Sequence, residues 1–174
     1  MGTFEVKLEV VKGDITQQKD ISAIVNAANA ELQIGSGVAG AIHTAAGEGL
    51  AEECRSLAPI KTGEAVITDA YSLPNEYIIH VLGPIYGFNQ PEVKFLGHCY
   101  EHALALAEKH NIESIAFPAI STGAFGYPFE EATEIALKTV QNFLSKARSL
   151  KLIRFVLFSD EDFKHYEEKL PSIT

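Results

Sequence analysis

Asparagine, glycine and serine gather at two places in this chain, and at both they are spaced to grip an anion. The first is residues 21–47, ISAIVNAANAELQIGSGVAGAIHTAAG. There Asn26 and Asn29 follow a short apolar run, and Gly35, Gly37 and Gly40 stand as G-x-G-x-x-G where a helix over 38–46 is predicted by its small and apolar spacing. Amides of a first helical turn lack intrahelical partners, and glycines let them come close to a phosphate. The second is Ile120-Ser121-Thr122-Gly123-Ala124-Phe125-Gly126-Tyr127-Pro128, a donor-rich turn between an apolar run at 112–119 and a helical pattern from Glu130 to about Lys146. Two cradles side by side can hold a diphosphate.

Single residues around these turns have a plain reading and a chemical one. Asp14 follows a strand pattern and fits either a turn or helix cap, or a carboxylate at a strand end that accepts a hydrogen bond from the exocyclic amine of a base. Asn26 is read first as a loop anchor whose amide replaces missing turn hydrogen bonds, whereas Asn29, nearer the glycines, can orient a sugar hydroxyl and a water. Phe125 suits ring stacking on a ribose or base as well as it suits ordinary packing. His43 reads as a structural residue of its helix, His80 as a satisfied histidine within the sheet, and Tyr86 as a cleft aromatic or a packing residue. The glycine spacing is a poor match to the dinucleotide fingerprint. There the glycines follow the strand directly, but here eight residues separate Asn26 from Gly35, and no later acidic signature or second domain is evident.

These residues need strands to set them at one edge. Residues 4–11 alternate as a half-buried strand with Glu5, Lys7 and Glu9 toward solvent, and 21–25 form a buried strand. Helix is expected to continue over 50–57 until Pro59 ends it. Strands follow at 63–70 and 77–82, then a long amphipathic helix from Glu92 to Lys109 with Val93, Leu96, Tyr100, Ala103, Leu104 and Ala107 on its apolar side. Such a helix is the crossover that parallel strands require. A strand at 112–119, a last strand at 152–158 and a closing helix over 160–170, capped by Ser159, complete an α/β pattern on a mixed sheet.

Composition narrows the field. The 174 residues fit a single domain spanning 1–174, and 47% apolar residues supply a core. Fourteen basic against twenty-three acidic residues give a net charge of −9 with dispersed lysines, which argues against general nucleic-acid binding. A cradle of amides needs no net positive charge to take a small phosphorylated ligand. No apolar run approaches a membrane span and no leader pattern is evident, so an intracellular location is expected, cytoplasm and nucleus being indistinguishable. Cys54 and Cys99 have no metal-ligand spacing and are read as free buried thiols.

Taken together, four pieces resemble the macro domain family, whose members bind ADP-ribose. They are Val11-Lys12-Gly13-Asp14-Ile15, Ile24-Val25-Asn26-Ala27-Ala28-Asn29, Gly35-Ser36-Gly37-Val38-Ala39-Gly40-Ala41-Ile42, and residues 118–128, in the family's order and spacing. The resemblance covers essentially the whole chain. It implies a three-layer α/β/α sandwich on a central mixed, mostly parallel sheet, with ligand at the carboxyl ends of the parallel strands. It further implies that Asp14 and the Ile15 amide meet the adenine and that Ser36, Gly37, Val38 and Ala39 of the first loop face Ser121, Thr122, Gly123, Ala124 and Phe125 of the second across the diphosphate. Asn26 and Asn29 would serve the site from the first loop, Asn29 on the distal ribose, with Phe125 packed against that sugar and Ala119 and Ile120 lining the cleft.

The activity that the resemblance implies is removal of mono-ADP-ribose from acidic side chains of modified proteins, without metal or cofactor, with Asn29, Gly37 and Phe125 at the reacting end. Many hydrolases of the family carry Asp where this chain has Ala39, and Gly where it has Ser36. Others with Ala there are still hydrolases. The alternatives are a reader of ADP-ribosylated proteins without turnover, and a deacetylase or phosphatase acting on an ADP-ribose derivative. The expected partner is ADP-ribose or a mono-ADP-ribosylated protein, with no membrane association, and the chain is expected to be a monomer or a module of a larger protein.

Overall fold

The computed structural model describes residues 5–173. Its centre is one six-stranded sheet built from β1 (Lys7–Lys12), β2 (Ala23–Ala27), β3 (Ala65–Asp69), β4 (Tyr77–Val81), β5 (Ser114–Phe117) and β6 (Leu152–Leu157), in the order β1-β6-β5-β2-β4-β3. All neighbours are parallel except β3, which runs antiparallel to β4. Two of those strands decide everything that follows. β2 and β5 lie side by side in parallel, with Ala23 opposite Ile115 and Ile24 opposite Ala116, so the chain leaves both at the same edge.

Alternation along the strands divides the core in two. Val25, Ile79, Ile115, Phe117, Ile153 and Phe155 face one layer, against α3 (Glu92–Lys109), α4 (Phe129–Phe143) and α5 (Asp160–Lys169). Ile24, Ile78, Ala116 and Val156 face the other, against α1 (Gly37–Ala46) and α2 (Glu48–Leu57). The result is the three-layer sandwich on a mixed, mostly parallel sheet. Among the described residues no helix is long and apolar enough to cross a membrane. Both thiols are buried, and burial first of all pushes Cys54 up to about 11 and Cys99 up to about 12.

Several local expectations change. The first strand starts at Lys7 and runs through Lys12, and Phe4 lies outside the described residues. Glu9 is not a solvent-facing residue: Arg154, opposite it in the register, draws it into an ion pair at 2.9 Å. The helical stretch after the glycines is two helices, because Gly47 at φ +93° turns the chain between α1 and α2 in a conformation that costs glycine least. Val93 stands 63% exposed while the other five apolar positions of α3 are buried. The last strand stops at Leu157, and Phe158 is 85% exposed.

Candidate functional site

The loop from β2 to α1 forms one wall of a cleft. Its entry is tied to the sheet by the Ala28 amide, which donates to the Val81 carbonyl at 2.9 Å. Asn29 then closes on Gln33: its Nδ2 donates to the Gln33 carbonyl at 2.8 Å and its Oδ1 accepts from the Gln33 amide at 3.0 Å. That ring shapes the glycine segment and leaves the carboxamide one further hydrogen and one further lone pair. Gly40 lies so near the Gly35 carbonyl that a Cβ there would strike it, so the loop folds tightly onto the helix start. Helix α1 opens at Gly37, with φ +58°, behind an N-cap Ser36 whose hydroxyl makes no capping bond. The first-turn residues Gly37, Val38 and Ala39 line the cleft, and their amides have no intrahelical acceptor.

The loop after β5 forms the opposite wall. Ser121 holds the left-handed conformation at φ +67°, uncommon outside glycine, and its carbonyl accepts from the Tyr127 amide at 2.9 Å. Its hydroxyl is buried with no hydrogen-bond partner among the described residues and lies over Gly83, where a Cβ would collide with it. Thr122 turns its hydroxyl back to the Ala119 carbonyl at 2.8 Å. The Phe125 carbonyl accepts from the Tyr86 amide at 2.9 Å, and Tyr86 packs edge-on against Tyr127 at 5.0 Å, so the 83–87 turn braces this loop.

Between the walls lies a cleft of about 360 Å3, lined from one side by Asn29, Gly35, Ser36, Gly37, Val38 and Ala39 and from the other by Ala119, Ile120, Ser121, Gly123, Ala124 and Phe125. Beyond Gly37 and Val38, which belong to both, a pocket of about 390 Å3 is lined by Gly13, Asp14, Ile15, Ala41, Pro118, Val156 and Phe158. Among the described residues no lysine or arginine lines either space, so an anion placed there would be met by backbone dipoles and not by a side-chain cation. Asp14 caps a short 3-10 turn, its Oδ1 accepting from the Thr16 amide at 2.8 Å and the Thr16 hydroxyl at 2.6 Å; Oδ2 takes no hydrogen bond among the described residues.

Two expected residues do not line these spaces. Thr122 is folded onto its own loop, and Asn26 is wholly buried in β2 beneath the floor. The Asn26 amide does not anchor a loop backbone: its Nδ2 donates to His80 Nδ1 at 3.0 Å. His80 therefore carries its proton on Nε2 and donates to the Thr68 hydroxyl at 2.9 Å, which in turn donates to the Asp69 carbonyl at 3.0 Å. Burial first and His43 second push His80 down to about 3, and burial also lowers His43. Both histidines are buried and lie outside the cleft lining. Phe158, which the sequence places as the last residue of an apolar strand, instead lines the Asp14 pocket. Its signal was its place, one residue past the end of a strand at the edge where Asp14 sits.

Comparison with known proteins adds to this geometry. The family model described as Macro domain matches residues 25–136. A macro domain-containing protein of Chlorobaculum tepidum is 46% identical over 166 residues, 95% of this chain and 96% of its own length. The ADP-ribose glycohydrolase MACROD2 of Xenopus laevis is 48% identical over 167 residues, which are 94% of this chain and 40% of that longer protein. Among solved structures, a variant of the Oceanobacillus iheyensis macrodomain with ADPR superposes with a TM-score of 0.92 at 42% identity, covering 97% of this chain and 94% of that one.

Proposed function

This chain belongs to the macro domain family, and from that premise we propose that it binds ADP-ribose in the cleft and hydrolyses mono-ADP-ribose from acidic side chains of modified proteins. The observation that carries the proposal is the pair of glycine loops leaving adjacent parallel strands, with a carboxylate-bearing pocket at one end of the space between them. Adenine occupies the pocket, its amino group donating to Asp14 Oδ2, the Ile15 amide beside its ring nitrogens and the Phe158 ring on its face. The diphosphate lies between the amides of Gly37, Val38 and Ala39 and those from Ser121 to Phe125. The distal ribose reaches Asn29 and Ser36 and packs on Phe125. Asn26 and Thr122 support the walls from behind.

Turnover needs a water at the anomeric carbon. Its oxygen forms the new bond there, the bond to the protein carboxylate breaks with its electron pair, and the water proton leaves to solvent. A ligand phosphate oxygen and the Asn29 carboxamide orient that water, while the open Gly37 leaves room for it. A second reading, a binding module without turnover, is favoured by one observation: Ala39 puts a buried methyl group on the cleft wall, where it offers no acceptor. Release of labelled ADP-ribose from a glutamate-modified protein, at substoichiometric chain and beside Asn29→Ala, separates the two. Time-dependent release that falls at least tenfold in the variant, with affinity for ADP-ribose changed less, is expected. Binding without release makes the chain a reader, and no binding removes both readings.

A further inference from the structure

The loop that carries Asp14 is fastened from behind by one cation. Arg154 lies within β6 with a side chain only 11% exposed, and its donors fan out in three directions. Nε donates to Glu9 of β1 at 2.9 Å, Nη1 donates to the Gln18 carboxamide oxygen at 2.9 Å, and Nη1 and Nη2 clasp the two oxygens of Asp20 at 2.8 and 2.7 Å. Gln18 is buried and passes the restraint on, its Nε2 donating to the Asp14 carbonyl at 2.8 Å. Asn75 holds the same residue from the other side, donating to the Gln18 carbonyl at 2.8 Å. Arg154 lines neither the cleft nor the Asp14 pocket, yet two hydrogen bonds join it to the residue that meets the base. Only a planar fork with five donors can serve three acceptors on two elements at once.

We propose that Arg154 is a positioning residue for base recognition, which through Gln18 fixes Asp14 and so sets affinity for the adenine end of the ligand and not for its sugar-phosphate end. The proposal rests on the ADP-ribose reading above. A tie that served the sheet alone would end at Glu9; the bonds to Gln18 and Asp20 reach the loop instead.

The test is calorimetric titration of the wild type, Arg154→Gln, Arg154→Lys, Gln18→Leu and Glu9→Gln with ADP-ribose and with ribose 5-phosphate. Arg154→Gln and Gln18→Leu are each expected to weaken ADP-ribose about tenfold and ribose 5-phosphate less than twofold, and the double variant to lose no more than either single one. Arg154→Lys recovers only part, since an ammonium cannot form the fork, and Glu9→Gln leaves both ligands unchanged. Should Arg154→Gln not fold, Gln18→Leu carries the same comparison. Unchanged ADP-ribose affinity in folded Arg154→Gln and Gln18→Leu, or equal losses for both ligands, overturns the proposal. Failure of the wild type to bind ADP-ribose overturns the reading of the cleft and the proposal together.

Discussion

Asp14 has two oxygens with different duties. Oδ1 is committed to Thr16, where it caps a 3-10 turn, and Oδ2 takes no hydrogen bond among the described residues. The turn-cap reading of the sequence is what the structure shows, and the base-acceptor role proposed above needs only the other oxygen. Asp14→Ala is expected to weaken ADP-ribose binding about tenfold and to lower stability by about 1 kcal/mol through the lost cap. Titration with ADP-ribose beside thermal unfolding checks both, and an unchanged dissociation constant sinks the adenine assignment. Asn29 is divided in the same way, its carboxamide shaping the loop through Gln33 while keeping a hydrogen and a lone pair to spare. Asn26 illustrates where residue-level reading fails. Its neighbours in sequence suggest a loop, but its partner is His80 on the adjoining strand, 54 residues away, and no local pattern announces a contact of that kind.

At the scale of elements, the sequence was most legible where local chemistry governs. The apolar periodicity of α3 and α4, the cap at Ser159 and the two glycine loops all follow from neighbours a few residues apart. What escaped depends on distant partners or a single dihedral: the break at Gly47, the exposure of Phe158, the pairing of Glu9 with Arg154. Gly83 belongs to this class. It closes β4, but its reason lies in the Ser121 side chain of the other loop, which occupies the place a Cβ would take, with Ile120 at 2.8 Å from that point. Gly83→Ala is expected to push the second loop outward and to cost about 1 to 3 kcal/mol in stability. ADP-ribose affinity should fall with it while α4 and the sheet stay folded; amide hydrogen exchange confined to residues near 119–127 checks the location, and protection unchanged there refutes it.

For the molecule as a whole, two buried histidines shape the response to acid, His80 more than His43. His80 is held near 3 in the folded chain against an ordinary 6.5, so the unfolded chain takes the proton first. Stability is fully present above pH 6.5 and declines as pH falls from there toward 3, approaching about 1.4 kcal/mol per pH unit. Glu9 and Asp20, lowered chiefly by bonds to Lys7 and to Arg154 respectively, contribute stability that is lost as pH falls through the ordinary carboxylate range and below it. Denaturant midpoints measured from pH 8 to 5 should therefore fall in the wild type and fall less steeply in His80→Gln, where the lowered His43 still contributes; parallel curves exclude His80 as a source. The shared wall between the cleft and the Asp14 pocket has a consequence of its own. Gly37 and Val38 border both the cleft and the Asp14 pocket, so a molecule filling only one space gains only that half. A ligand joined across the wall brings its second half at high effective concentration once the first is seated, and tight binding then reports the linkage of two modest sites more than the strength of either.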